Sequence, residues 1–409
     1  MDFLTVDSVE TAREKLLAGV KDWFSTRETL PLDKIGGRYL AEDIYAQEDV
    51  PSFRRSTMDG YAVVAGDTTA AGESVPVYLD IKGEIEMGLP AAFAIRSGEC
   101  AEIPTGGMLP DGADAVIMAE YAEPFGEAGV AFYNSAAVGE NVVQAGEDAR
   151  AGDLLLRRGI RVRPQDAGAL AAAGITDVPV LKKPRLTIIS TGDELIPPGG
   201  KPAQGQVRDV NTRALTRLAE NNGFDVVEAS VLPDDEVVIQ NAALAALQKC
   251  DVVCVSGGSS QGSKDLTRKI FDRVAKPGVF THGLALKPGK PTILGCDDAS
   301  RTLLIGLPGH PVSAMMVFEL LLSWLLREIA GNRGSPAVPA RLSRNVASSP
   351  GRLTCWPVAL EWDGNGYTAT PVFGKSGLIT TLTRADGYFA ADRGAEGCKA
   401  GQTVLVHQF

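Results

Sequence analysis

The sequence predicts a multidomain α/β and β protein. A doubly wound α/β domain stands at the centre, with a helical segment, an inserted β-rich domain and a small β domain at the C-terminus. Three observations carry this prediction. Between Pro184 and Gly331, β-branched apolar runs alternate with helical patterns, which implies a parallel sheet with right-handed crossovers. Between Ile44 and Glu147, glycine and proline recur every few residues among brief apolar runs, the texture of a turn-rich β domain. At 409 residues the chain is too long for one core, so two to four domains are expected.

Taken in order, Asp7-Ser8-Val9-Glu10 opens a helix with capping-box chemistry, and Val9, Ala12, Leu16, Val20 and Trp23 follow at helical spacing. A second short helix is expected over residues 32–41. In the β-rich segment, residues 75–81 and 115–118 are the clearest strand runs. Residues 148–163 read as extended. Pro164 then starts an alanine-rich helix that Gly174 ends. This helix is expected to rejoin the N-terminal helices, making the β-rich segment an insertion. In the α/β part, strands are expected at 186–190, 225–232 and 251–256, and helices at 211–222, 236–248 and 264–275. Strand-like runs at 279–286, 291–294 and 302–305 precede a long helix after Pro311. A proline-bearing linker at 331–336 leads to short strands with a hairpin signal at Asp363-Gly-Asn-Gly366. The expected domains are 1–45 with 149–180, 46–148, 181–331 and 332–409.

Composition excludes several classes of function. The formal net charge of −11 argues against a general binder of nucleic acid or acidic membranes, which needs a basic face. The six cysteines are scattered without a CxxC pair and the three histidines lie far apart, so reduced core thiols are expected rather than zinc or a disulfide framework. The N-terminus lacks the basic-then-apolar pattern of a secretory leader. The apolar stretch 312–329 is too short and too polar to span a bilayer. The cytoplasm is the expected address.

The chemistry concentrates at strand ends. Cys250 to Ser256 is a strand that runs through Gly257-Gly258-Ser-Ser260-Gln-Gly262 into a helix bearing Asp265 in its first turn. Such a turn either needs glycine for its φ angles or gathers free N–H groups around an anion. Three other strands end in Thr191-Gly-Asp-Glu194, Pro233-Asp234-Asp235 and Gly306-Leu-Pro308-Gly-His310-Pro311. If the strands are parallel neighbours, Asp193, Glu194, Asp234, Asp235 and Asp265 share one rim. So many carboxylates call for a cation among them, and hard oxygen ligands suit Mg²⁺. Glu194, Asp235 and Asp265 are the candidate metal ligands. Lys287 and Lys290, in a tight Lys-Pro-Gly-Lys-Pro turn, suit a phosphate or another oxyanion. The alternatives are a helix N-cap for Asp234-Asp235 and solvated surface for Glu194 and the lysines. A second cluster, Ser56-Thr-Met58-Asp59-Gly60-Tyr61, Pro104-Thr105-Gly106 and Gly146-Glu147-Asp148, reads by itself as turn chemistry.

Together these motifs carry a resemblance. Ser56-x-Met58-Asp59-Gly60-Tyr61-Ala62, Thr105-Gly106, Gly146-Glu147-Asp148, the Ser190 to Leu195 turn, the Ser256 to Asp265 loop, Lys287-Pro-Gly-Lys290-Pro and Gly306-Leu-Pro-Gly-x-Pro311 appear in family order. The chain resembles the molybdopterin molybdenumtransferase family, the bacterial MoeA proteins, and is similar to the E domain of gephyrin. The resemblance implies a four-domain homodimer with a small C-terminal β-barrel. Its α/β domain would bind molybdopterin, and its active site would lie between the α/β domain of one subunit and the β-rich domain of the other. It implies an enzyme that inserts molybdenum from molybdate into adenylylated molybdopterin, with Mg²⁺-dependent release of AMP, downstream of a molybdopterin adenylyltransferase. Carried over, the catalytic positions are Asp59, Asp148, Glu194, Asp235 (or its neighbour Asp234) and Asp265. The substrate-binding positions are Thr105, Ser256, Gly257, Gly258, Ser260, Gly262, Lys287, Lys290, Pro308 and Pro311.

Three departures stand out. His310 replaces the family's usual Asn, Arg54-Arg55 replace a common Asp-Asn, and Leu266 replaces a frequent Tyr. They leave the choice between molybdate and tungstate open. The rival functions are a molybdopterin adenylyltransferase, a molybdopterin-binding scaffold and a non-catalytic paralogue. An adenylyltransferase would lack the Asp59 and Asp148 motifs, and a scaffold would not need the full carboxylate set.

Overall fold

A computed structural model describes residues 6–257, 261–332 and 337–409, with only the backbone described at 261–265. Six strands form its central sheet in the order Asp225–Leu232, Arg185–Thr191, Val252–Gly257, Thr302–Leu307, Ile293–Asp297, Pro277–His282. The first four are parallel, and their register sets Thr191 beside both Leu232 and Gly257 and Ser256 beside Leu307. Four carboxyl ends therefore stand side by side. The fifth strand, Ile293–Asp297, runs antiparallel to both its neighbours, so the sixth points the same way as the first four, against the expectation of a wholly parallel sheet. Apolar periodicity reports burial and not direction. The direction is set by the short connection after Asp297, whose carboxylate accepts from Ser300 N at 2.9 Å and Ser300 Oγ at 2.7 Å. A turn that short can only return the chain antiparallel.

Alternate strand residues feed two cores. Leu186, Ile188, Cys254 and Ile305 face the helices Asn211–Asn221 and Pro311–Phe318, while Ile189, Val253, Val255 and Leu304 face Glu236–Leu247 and Gln261–Val274. Phe224 and Phe318 meet edge to face, 5.6 Å between centroids. Truncating a buried ring of this kind costs about 3–5 kcal/mol.

The helix Val9–Val20 is capped by Ser8, whose Oγ accepts from Thr11 N, and it buries Val9, Ala12, Leu16 and Val20 in the first of these cores. The helix Pro164–Ala172 packs elsewhere, with Leu170 against Ile35, Leu40 and Val178. The two helices thus do not form one unit as expected. What joins the flanks of the β-rich segment is strand pairing: Arg27–Pro31 with Asp177–Leu181, and Ile44–Tyr45 with Leu154–Leu156. Residues 32–41 are not a helix. A single 3₁₀ turn, Leu32–Lys34, gives way at Gly36-Gly37, and the chain then pairs with residues 160–162. Gly37 has φ +71°, a conformation outside any helix.

The β-rich segment holds a six-stranded sheet, in which Gly60–Val63 lies between Ala115–Met118 and Glu99–Ile103. Near the C-terminus, Ala337–Leu342, Tyr367–Pro371, Leu353–Trp362, Gly387–Ala391 and Thr403–Gln408 pair in a closed ring of five, a barrel without free edges. Leu286–Lys287 pairs with Leu353–Thr354, so the lysine loop of the α/β unit is stitched to the barrel. The long helix runs as Pro311–Phe318, a π turn Glu319–Ser323, and Trp324–Ala330. Arg13 lies over the Trp324 ring at 4.7 Å, and its Nε donates to Leu320 O within the π turn at 3.0 Å. No helix among the described residues is long and apolar enough to cross a membrane.

Candidate functional site

The parallel strand ends enclose a cavity of about 300 Å³, bordered by Thr191, Glu194, Asn211, Ser256, Gly257 and Pro311. The strands approach so closely here that a Cβ on Gly257 would lie 2.0 Å from Thr191 Oγ1. Glu194 folds back over Gly192, where a Cβ would meet its carboxylate at 2.7 Å. Asn211 Nδ2 donates to Ser256 Oγ and to Gly309 O, both at 2.8 Å, and Ser256 Oγ donates to Pro308 O at 3.3 Å. Sequence reasoning missed Asn211. The polar run Val207-Arg-Asp-Val-Asn211 opening a helix was its only signal.

Asp235 stands on the same rim but does not border this cavity. Its Oδ1 accepts from Val237 N and Val238 N at 2.9 Å each, capping Glu236–Leu247. The plain N-cap, weighed as the alternative, is what the geometry has. Asp193 accepts from Asp234 N at 3.1 Å. Among the described residues no three His, Cys, Asp or Glu side chains converge on a metal position. Gly258 and Ser260 lie outside the described residues, and of Gly262 and Asp265 only the helical backbone is described. Mg²⁺ usually takes one or two carboxylates and completes its shell with phosphate and water. Glu194, exposed in the cavity, fits that use. Asp235, with one oxygen already spent on the helix, fits it less well.

A second cavity, of about 610 Å³, lies between the lysine loop and the barrel. Lys287 and Lys290 border it from one side, and Arg352 and Lys375 from the other. Lys287 Nζ donates to Ser349 Oγ at 3.0 Å. Gly289 makes the turn possible: its φ is +130°, and a Cβ would meet Leu286 and Val317 at 2.7 Å. Burial pushes the Cys355 thiol on this cavity's wall up to about 12, which disfavours the thiolate form. Pro308 borders this cavity and Pro311 the smaller one, while Gly309 and His310 border both. Four cations gathered beside an acidic cavity suit an oxyanion. Sequence reasoning missed Arg352 and Lys375 because the barrel's packing, not spacing, brings them in.

The second cluster is built from turns. Ser56 Oγ donates to Met58 O at 2.6 Å and accepts from Met58 N at 3.1 Å, bending the chain toward Asp59. Asp59 Oδ1 accepts from Thr105 N at 2.7 Å and from Thr105 Oγ1 at 2.9 Å. These two donors hold its carboxyl below the usual aspartate range, the backbone amide contributing most. Gly60 is required, since a Cβ there would lie 2.0 Å from Ile117 O. Asp148 is exposed, and its amide donates to Val50 O at 3.0 Å. The pairing of Arg55–Ser56 with Val142–Val143 sets Asp59 and Asp148 beyond opposite ends of one short ladder. The structure thus joins Asp59 to Thr105 but not to Asp148. Of the departures, Arg54 donates to Ala113 O at 2.9 Å and Leu266 packs against the second core.

Comparison with known proteins places this geometry. Residues 7–174 match the MoeA N-terminal region (domain I and II), residues 187–328 a probable molybdopterin binding domain, and residues 339–409 the MoeA C-terminal region (domain IV). A molybdopterin molybdenumtransferase of Haemophilus influenzae is 30% identical over 98% of both chains. One of Bacillus subtilis is 32% identical over 95% of this chain and 90% of its own. The crystal structure of a molybdopterin biosynthesis MoeA protein from Pyrococcus horikoshii superposes with a TM-score of 0.80 at 36% identity, covering 99% of each chain. Matched from end to end, with its strand-end turns, basic loop and closed barrel in family order, the chain belongs to the MoeA family of molybdopterin molybdenumtransferases.

Proposed function

We propose that this protein is an enzyme of molybdenum cofactor biosynthesis that takes adenylylated molybdopterin and molybdate, releases AMP and leaves molybdenum on the dithiolene. One observation carries the reading. A cavity with a free carboxylate and strand-end amides adjoins a cavity with four cations across a single turn, Pro308–Pro311. In this assignment Lys287, Lys290, Arg352 and Lys375 gather the oxyanion, and Ser256, Gly257 and the loop that follows cradle the phosphate or pterin. Glu194, with Asp265 as its expected companion, would hold Mg²⁺, which offsets charge on the phosphates as the bond to AMP breaks. Asp59, Thr105 and Asp148 complete the site in a homodimer, reaching the strand ends of a second copy. The molybdopterin adenylyltransferase that makes the substrate is the upstream partner, and the cytoplasm is the compartment.

The test is purified protein given adenylylated molybdopterin, micromolar molybdate and Mg²⁺, with AMP followed. Molybdate-dependent AMP is the expected result. Binding of the nucleotide substrate without molybdate-dependent AMP would favour the non-catalytic paralogue.

A further inference from the structure

The wall between the two cavities carries an ionisable side chain, His310, at the position where the family resemblance expects Asn. The main chain of this wall is held without the imidazole. Pro308 O accepts from Ser256, Gly309 O accepts from Asn211, and Val312 N donates to Ser376 O at 3.1 Å. What the imidazole adds is reach toward the barrel. Its Nδ1 lies 2.8 Å from Ser376 Oγ, and its ring lies along Gly377, where a Cβ would come within 3.8 Å of Cδ2. Lys375 and Ser376 border the basic cavity, and Gly377 borders the acidic one. Fixing this short loop therefore sets the shape of both cavities at once.

We propose that His310 is a positioning residue for the oxyanion substrate, which fixes the Lys375–Gly377 loop through Ser376 and strengthens oxyanion capture when the imidazole is protonated. The inference rests on the oxyanion reading of the basic cavity given above. The charged groups that border the two cavities along with His310 are Lys287 and Lys290 from the lysine loop, Arg352 and Lys375 from the barrel, and Glu194, Arg208 and Asp209 from the acidic cavity. An imidazole can take up a proton and its charge, whereas a carboxamide cannot. Asn would make the same hydrogen bond at constant charge. Ser376, both donor and acceptor, can serve either form of the ring. The bond can thus be made by either form of the ring, and protonation would add positive charge at the wall.

The experiment is equilibrium dialysis of molybdate against the full chain and against His310→Asn, His310→Ala and Ser376→Ala, at pH 6 and pH 8, with oxyanion KM and kcat measured in parallel. For the unchanged protein, molybdate should bind about fivefold more tightly at pH 6 than at pH 8. His310→Asn should keep the pH 8 affinity and lose the pH dependence. His310→Ala and Ser376→Ala should each weaken binding about fivefold at pH 8, raising KM and leaving kcat unchanged. Wild-type affinity in His310→Ala at both pH values, pH dependence surviving in His310→Asn, or no molybdate binding by the unchanged protein would each overturn the proposal. Molybdate binding that follows this pattern without molybdate-dependent AMP would leave the His310 assignment standing and reject the enzyme reading.

Discussion

Glu194 and Asp59 are both exposed carboxylates in turns, yet the turns are anchored differently. Glu194 sits in the turn that follows Arg185–Thr191, a strand buried at every residue after the first, so the core beneath fixes where that turn starts. Asp59 sits in a turn and is aimed by two hydrogen bonds from one neighbour, Thr105. A side chain on a turn anchored by the core can be changed without disturbing its backbone. One aimed from within its turn depends on each residue of that turn.

The largest effect should come from the carboxylates themselves. Glu194→Ala and Asp59→Ala should each lower AMP release by about 100-fold or more, as for loss of a group that stabilises transferred charge, with the fold retained. Activity within tenfold of wild type would remove that residue from the site. Next comes the backbone that carries Asp59. Gly60→Ala drives a Cβ into a carbonyl that cannot move aside, and should cost about 1–3 kcal/mol in urea unfolding. An unchanged midpoint would show that the turn is less constrained than its contacts imply. Asp235→Ala should cost about 1 kcal/mol through loss of its cap while changing turnover little. A collapse of turnover at full stability would instead make Asp235 a ligand.

The smallest effect concerns pH. Removing the hydroxyl with Thr105→Val leaves the amide bond but lets the Asp59 carboxyl rise toward its ordinary range. Its folded value is depressed, so the stability it lends is present above the unfolded value and is lost as pH falls through the folded one. The acid limb of the rate profile should therefore move to higher pH in this variant. A stationary limb would mean that Asp59 does not have to be ionised for turnover.

Much of the fold was legible because strands and helices of the α/β unit announce themselves by apolar period and by glycine at their ends. Residues 225–232, read as a strand, are one. Strand direction was not legible, and the 293–297 strand turned out to run against both its neighbours, with only a few residues connecting it to 302–307. Residues 32–41 had apolar content enough for a helix, but two adjacent glycines outweighed it. At the site, the rim was readable from four turns. The basic cavity was only half readable, because Arg352, Lys375 and Ser376 reach it from a barrel more than 60 residues downstream in the chain. Asp235 shows the converse: an aspartate three residues after a strand fits a ligand and a cap equally well until its hydrogen bonds are known.

The pairing of Leu286–Lys287 with Leu353–Thr354 also bears on how such a chain can be inherited. The barrel contributes Cys355 and Tyr388 to the same core as Leu186 and Phe318. A recombination event that cut between residues 331 and 337 and joined a foreign barrel would break that ladder and leave a gap in this core. The lysine turn and the barrel are bound to travel through evolution as one exchangeable block with the sheet, however cleanly a linker separates them in the gene.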